Sequence, residues 1–223
     1  GSGMIKPNMA TMLAYIATDA SVDQELLHSA LVRANERSFN RITVDSDTST
    51  NDSVVLVATG TSGVTIDENS FDEFVDHLTD TLINLAQSII RDAEGATKFV
   101  AVVVDTARSR SEALNIAYTI AESPLVKTAL SASDPNWGRI LAAIGRSGVE
   151  DLDVNDVQIL LNSVLIADHG ARADSYSEES GQMAMQPEDI EIRVCLNRGK
   201  VSETVWTSDL THEYVRINSE YRT

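Results

Sequence analysis

Apolar residues along this chain fall alternately into short runs and into amphipathic stripes, with no repeat period and no low-complexity tract. "TMLAYIAT", bounded by Pro7 and by "DAS", has the length and continuity of a strand with Thr11 at its head. From Ser21 the spacing becomes helical: Ser21 and Gln24 stand as a capping box, and Leu27, Ala30, Leu31 and Ala34 recur on one face. "FNRITVD" and "SVVLVATG" are predicted strands on either side of the polar loop "SDTSTND". A longer helix follows, with Ser70 and Glu73 as its box and Phe74, Val75, Leu78, Leu82, Leu85 and Ile89 as its stripe.

The continuous apolar run "TKFVAVVVDTA" predicts a strand covered on both faces. Ser109 and Glu112 then start a helix that turns Ile116, Ala117 and Ile120 inward and stops before Pro124. Shorter helices are expected at "PLVKTAL" and "WGRILAAIG". "VQILLNSVLIAD" and "DIEIRVCLNRGKVSETVWT" are predicted as strands, the second a hairpin turning at Asn197 to Lys200, and "SDLTHEYVRINSEY" closes as a helix. The most polar stretch, "ARADSYSEESGQMAMQPED", is expected to be an exposed loop or a boundary, with a smaller C-terminal lobe from about residue 150. Mixed hairpins and helical crossovers argue for an α/β or α+β layered core.

Composition narrows the function. With 223 residues, 43% of them hydrophobic, the chain can bury a sizeable core as one large domain or two small ones. Acidic residues outnumber basic ones 34 to 17, a formal charge of -17, so the average surface repels phosphate backbones and anionic lipid heads. Neither nucleic acid nor a membrane is an expected partner. No apolar run approaches the roughly 18 residues of a membrane span, so a soluble protein is expected. The single cysteine, Cys195, permits neither an internal disulfide nor a cysteine-based zinc cluster, which suits the cytoplasm.

Most chemically suggestive residues have a plainer explanation. Asp45, Asp47 and Asp52 lack the glycine and glutamate of a calcium loop, because Thr50 and Leu56 hold those places, and a polar turn accounts for them. His28, His77, His169 and His212 have no metal-ligand spacing, and no metal is expected. "TGTSG" lacks the lysine of a phosphate loop. In "DPNWGR", Trp137 and Arg139 suit a ligand contact as well as a packed helix start, and the sequence leaves both open. No "GxSxG" elbow occurs. A threonine hydroxyl needs a base, and one remedy is to make the residue N-terminal so that its own amine takes the proton. For Thr11 that requires a cut after the small residue Ala10, downstream of the Pro7-Asn8 turn.

"GSGMIKPNMATML", "SFNRITVDSDTSTNDS", "EGATKF", "SPLVKTA", "DPNWGRILAA" and the terminal "WTSDL" with "EYVRINSEYRT", in this order, closely resemble the ornithine acetyltransferase family of arginine biosynthesis, also called glutamate N-acetyltransferase. The likeness runs from Gly1 to Thr223, and it replaces the reading of "GSGM" as a cloning scar, because the family carries those residues there. It implies an α/β fold, a layered sandwich of two β-sheets with flanking helices. It also implies a precursor that cuts itself between Ala10 and Thr11. Residues 1–10 then end the first (α) subunit and residues 11–223 form the second (β) subunit of an α2β2 heterotetramer. Thr11 becomes the nucleophile that carries acetyl from N2-acetylornithine to glutamate in a ping-pong reaction. No metal or organic cofactor is implied, although acetyl-CoA serves some members as a substrate.

Further roles follow where motifs match. Glu94 in "EGATKF" corresponds to the family's active-site glutamate, expected to bind the substrate amino group or help move protons. Asn218 and Thr223 in "INSEYRT" match substrate-binding positions. Without the likeness, Glu94 would read as a solvated helix end and the other two as a frayed tail. Glu112 is a rival to Glu94, but its spacing from Ser109 already explains it. Lys127 is the expected structural or carboxylate-pairing cation.

The chain starts one residue after the family's lysine position, and the Thr-Gly pair of the oxyanion hole is expected outside it. Losing one such donor costs on the order of 2.7–4 kcal/mol, so this chain alone is expected to catalyse poorly. The residues before Thr11 point to a piece of an unprocessed precursor or to the end of one subunit joined to the next. Two alternatives stand beside acetyl transfer: an aminopeptidase-like hydrolase on the same scaffold, in which water replaces glutamate, and a non-catalytic subunit. The negative charge suggests a salt-adapted host, since screening offsets self-repulsion.

Overall fold

The apolar run that begins at Phe99 forms an inner strand of the largest sheet, and the elements after it are arranged around that strand. The computed structural model describes residues 4, 12–47 and 52–220, which fall into two units divided between Ile89 and Ile90.

The first unit holds β1 (Leu13–Thr18), β2 (Ser21–Val22), α1 (Gln24–Asn35), β3 (Ser53–Ala58), β4 (Thr65–Ile66) and α2 (Phe71–Arg91), whose last two residues belong to the second unit. β1 and β3 run parallel, in register from Leu13 opposite Ser53 to Thr18 opposite Ala58, and β2 pairs with β4. Burial alternates along both longer strands, leaving Leu13, Tyr15, Val55 and Val57 outward and exposed.

Helix starts in this unit differ from the expected boxes. Ser21 lies in β2, and Asp23, one residue before the helix, caps α1 by accepting the Glu25 N–H at 2.9 Å. A carboxylate at the N-cap also faces the positive end of the helix dipole, which explains why Asp23 displaces Ser21. At α2, the Ser70 hydroxyl is engaged with Asp67 rather than with Glu73. The α2 stripe holds at Val75, Leu78 and Leu82, but the inward positions continue through Ala86 and Ile90, and Leu85 is exposed.

"FNRITVD" is not a strand: Phe39–Arg41 form a 3-10 turn. Ser38 Oγ donates to the Ala34 carbonyl at 2.7 Å and Arg41 Nε to the Glu36 carbonyl at 2.8 Å. These bonds satisfy carbonyls that the end of α1 would leave open, so they keep the chain wound where alternation alone suggests extension.

The second unit comprises β5 (Phe99–Ala107), α3 (Arg110–Ala121), α4 (Pro124–Ser131), α5 (Trp137–Gly145), β6 (Gln158–Leu161), β7 (Val164–Asp168), β8 (Ala171–Arg172), α6 (Glu178–Ala184), β9 (Asp189–Cys195), β10 (Val201–Ser208) and α7 (His212–Glu220). Its six-stranded sheet has the order β10-β5-β9-β6-β7-β8, with β5 and β9 parallel and the other neighbours antiparallel. Strands from either side of residue 150 thus share one sheet. Val100, Val102 and Val104 are fully buried against Ala113, Ile116, Ala117 and Ile120 of the α3 side, and Val103 on the other face is buried too. Each such side chain contributes about 1.5–3 kcal/mol of transfer free energy, which makes β5 the anchor of the unit. The α/β class, a multi-stranded sheet with flanking helices, is as expected.

Two topological expectations change. β9 and β10 are connected through the turn at Asn197 but are not hydrogen-bonded neighbours, because β5 lies between them. The β5 end occupies the turn: Thr106 O accepts the Arg198 and Gly199 N–H groups at 2.8 and 2.7 Å. A Cβ on Gly199 would stand 2.2 Å from the Ala107 carbonyl oxygen, so only glycine allows this approach. The stretch expected as an irregular boundary instead forms β8 and α6 and buries Tyr176, Ala184 and Met185. α6 begins with a Ser177–Ser180 capping box.

Candidate active site

Thr11 and Ala10 lie outside the described residues, as do Thr223, the Pro7-Asn8 turn and residues 48–51 of the polar loop. The described chain next to Thr11 is held on both sides of one residue, Met12. Asp52 Oδ1 accepts the Met12 N–H, and the Met12 carbonyl accepts the Ser53 N–H at 2.9 Å. Met12 is buried, and β1 enters its pairing with β3 one residue later. Asp45 accepts the Asp47 N–H at 2.9 Å, in keeping with a polar turn at the start of that loop.

Glu94 stands in the turn between α2 and β5, and Asn218 stands on α7. They meet: Asn218 Nδ2 donates to Glu94 Oε2 at 2.7 Å and to the Tyr214 carbonyl, one helical turn back, at 3.0 Å. The second bond fixes the amide so that its other hydrogen faces the carboxylate. Glu94 is half-buried and Asn218 exposed, so the pair is open to a ligand from solvent. With both amide hydrogens engaged, the pair presents acceptors, the carboxylate and the amide oxygen, which suit the ammonium group of an amino acid.

Three features hold the turn from Glu94 to Lys98 against the C-terminal segment. Gly95 takes φ +66°, and a Cβ there would lie 2.6 Å from the Tyr214 nitrogen, so the turn and the start of α7 touch through a hydrogen atom alone. Thr211 Oγ1 donates to the Gly95 carbonyl at 2.7 Å and accepts the Tyr214 N–H at 3.2 Å, serving as cap of α7 and as clasp. Asp209, 3% exposed, receives the Thr97 and Lys98 N–H groups on one oxygen at 2.8 and 3.0 Å and the Thr97 hydroxyl on the other at 2.6 Å. Neither Asp209, which lies within the matched segment "WTSDL", nor Thr211 was assigned a role from the sequence. The one local signal was Thr211 in a helix-capping place.

The other candidates resolve into structure. Lys127 is buried and donates to Thr207 Oγ1 at 2.8 Å and to the Ser208 carbonyl, fastening the chain just before Asp209. Glu112 accepts the Arg108 N–H at 3.1 Å while its own N–H reaches Ser109 Oγ at 3.1 Å, and Arg198 lies 3.6 Å away, so it closes the start of α3. Arg139 donates to the Leu125 carbonyl at 2.8 Å, joining α5 to α4, and Trp137 packs partly buried on the core. All four histidines are exposed. Among the described residues, no three His, Cys, Asp or Glu side chains group as metal ligands would, and no helix is long and apolar enough to cross a membrane.

Beside the same turn opens a cleft lined by Arg91, Ala96, Thr97, Lys98, Phe99 and Glu188. Its cations are committed to the fold. Lys98 Nζ donates to the carbonyls of Met185, Gln186 and Pro187 at 2.9, 3.3 and 2.8 Å, closing the end of α6. Arg91 stacks over the Phe99 ring at 4.0 Å and makes two parallel bonds to Asp189, at 2.5 and 2.8 Å. Those bonds hold the Asp189 carboxyl below its ordinary range.

The ArgJ family model matches residues 1–223. The chain is 53% identical over 227 residues to the arginine biosynthesis bifunctional protein ArgJ of Pseudomonas fluorescens (strain Pf0-1), 53% identical to that of Pseudomonas syringae pv. tomato, and 51% identical over 226 residues to that of Psychrobacter arcticus. Each match takes in all of this chain and 56% of the relative, so the chain spans about half the length of those proteins. Among solved structures, it is similar to the arginine biosynthesis bifunctional protein ArgJ of Bacillus halodurans. The TM-score is 0.89 at 39% identity, covering 95% of this chain and 100% of that one.

Proposed function

Because this chain belongs to the ArgJ family, we propose that it forms the second subunit of an acetyltransferase of arginine biosynthesis, which moves acetyl from N2-acetylornithine to glutamate. The observation that carries this most directly is the 2.7 Å bond between Asn218 and Glu94, two residues matched to substrate-binding positions on separate family motifs and joined here in one open site.

Chain scission between Ala10 and Thr11 frees the Thr11 amine. That amine takes the hydroxyl proton as Thr11 Oγ attacks the acetyl carbonyl of acetylornithine. The C–N bond breaks, the proton passes to the departing nitrogen, and ornithine leaves an acetyl ester on Thr11. Glutamate's amine then attacks the ester, the C–O bond breaks, and Thr11 Oγ recovers its proton as acetylglutamate departs. Glu94 binds a substrate amino group or helps move protons at the reacting nitrogen, with Asn218 and Thr223 completing the site. The mechanism draws on no metal or organic cofactor, and acetyl-CoA enters only as an alternative acetyl donor.

The partner we propose is the remainder of the precursor, as the first subunit of an α2β2 assembly. The exposed apolar row of Leu13, Tyr15, Val55 and Val57 supports a covering polypeptide, since such patches mark interaction surfaces.

Brief exposure of the complete two-part enzyme to acetylornithine, followed by peptide mass mapping, tests this. An acetyl group is expected on Thr11, and intact mass is expected to show a species beginning at that residue. An adduct on another residue, or normal turnover with the Ala10-Thr11 bond intact, overturns the mechanism. Acetate release without acetylglutamate, with glutamate present, would assign the scaffold to hydrolysis instead.

A further inference from the structure

The Glu94 carboxylate can meet a substrate only where its turn places it, and the turn has little structure of its own. Between Arg91 at the end of α2 and Phe99 at the start of β5, the backbone follows no regular ladder. The Ala93 and Ala96 N–H groups close local bonds to the Ile90 and Ala93 carbonyls, but those of Thr97 and Lys98 reach a distant acceptor, Asp209.

Both oxygens of Asp209 are used. Oδ1 takes the Thr97 and Lys98 N–H groups, and Oδ2 takes the Thr97 hydroxyl. Asp209 is 3% exposed, so these bonds are shielded from competing water. The residue is itself fixed from behind: Lys127 grips Thr207 and the Ser208 carbonyl, and the Lys127 carbonyl accepts the Leu210 N–H at 3.2 Å. Two residues on, Thr211 holds the Gly95 carbonyl, and α7 then carries Asn218 to Glu94. Both partners of the Glu94–Asn218 pair are thereby referred to one buried carboxylate.

We propose that Asp209 is a positioning residue for the reaction, setting the turn that bears Glu94 against the helix that bears Asn218. This rests on the proposed role of Glu94 in substrate binding. The bonds also state which replacement can substitute for it. An asparagine with its oxygen at the Oδ1 place keeps both backbone bonds, and its amide can donate to the Thr97 hydroxyl at the Oδ2 place. Alanine keeps none of them.

The test uses the complete two-part enzyme with Asp209→Ala, Asp209→Asn, Thr97→Val and Glu94→Asp, comparing kcat and KM for acetylornithine and the melting temperature. Asp209→Ala is expected to lower kcat/KM at least tenfold, with the loss falling in whichever of kcat or KM Glu94→Asp changes. Asp209→Asn is expected to stay within threefold of the parent. If Asp209→Ala does not fold, Thr97→Val, which removes only the bond to Oδ2, is expected to lower kcat/KM about threefold in an assay run well below its own melting temperature.

Unchanged kinetics in Asp209→Ala, or in Thr97→Val where that variant stands in, overturns the proposal. So does a loss in the parameter that Glu94→Asp leaves alone, or a loss that follows the melting temperature and disappears when the assay is cooled. A parent enzyme without acetyl transfer, or a Glu94→Asp variant with parental kinetics, would instead refute the assignment of Glu94.

Discussion

Asn218 Nδ2 lies 2.7 Å from Glu94 Oε2 across 124 positions of sequence, and the Tyr214 carbonyl fixes the direction in which the amide points. Replacing Asn218 by Ala removes the donor, whereas Asp sets a second carboxylate against the first. Both are expected to lower kcat/KM for acetylornithine, Ala by about tenfold and Asp by more, since like charges at contact repel. Steady-state kinetics of the two variants checks the order. Equal activity of the Ala variant and the parent would remove Asn218 from the site.

Gly95 is the narrowest point between the turn and α7. Gly95→Ala must place a methyl 2.6 Å from the Tyr214 nitrogen and hold φ +66°, so the two segments are expected to part. The positive φ alone costs about 1–3 kcal/mol. Urea denaturation is expected to show a loss of at least that size, together with reduced acetyl transfer. Parental stability would mean that the turn can retreat freely.

Lys127 is expected to matter for folding rather than for chemistry. Lys127→Met fills much of the volume but deprives the buried Ser208 carbonyl of its charged donor, at about 1–3 kcal/mol, while the Thr207 hydroxyl keeps its bond to the Ala121 carbonyl. A lowered melting temperature is expected. A variant as stable as the parent but inactive would place Lys127 in the chemistry instead.

The Arg91–Asp189 pair gives a pH-dependent contribution of known sign. Arg91 lowers the Asp189 pKa in the folded protein, so the pair stabilises the fold above the unfolded carboxyl value of about 4, and the contribution is lost as pH falls from there through the lower folded value. Both side chains are substantially exposed, which keeps the effect within about 1 kcal/mol. Asp189→Asn is expected to be slightly less stable than the parent at pH 7, and the difference is expected to vanish in strongly acidic urea titrations. A difference that grows as the pH falls would contradict the pairing.

Local chemistry was legible where neighbours in sequence are neighbours in space. The run from Phe99 announced a strand covered on both faces, and Ser109 with Glu112 announced α3, whose start the structure closes with the Ser109 hydroxyl. Local spacing misled where a closer or stronger group competed, as Asp23 did with Ser21 and as Ser38 and Arg41 did in keeping Phe39–Arg41 wound. Insertion of β5 between β9 and β10 is a long-range pairing that no turn signal encodes. Glu94 and Asn218 came from family likeness alone, because neither residue type nor spacing distinguishes them from a helix end and a tail. Asp209 lies within the matched segment "WTSDL", but nothing there assigns it a role: a single aspartate after a strand looks the same in sequence whether it meets water or three donors.

The distance along the chain between the Glu94 turn and its supports sets a timetable for biogenesis. The turn is translated first, and the groups that brace it follow 112 to 124 residues later. Until those groups have emerged and docked, a nascent polypeptide holds Glu94 on an unbraced bend. The Glu94–Asn218 pair therefore forms only after translation has passed residue 218.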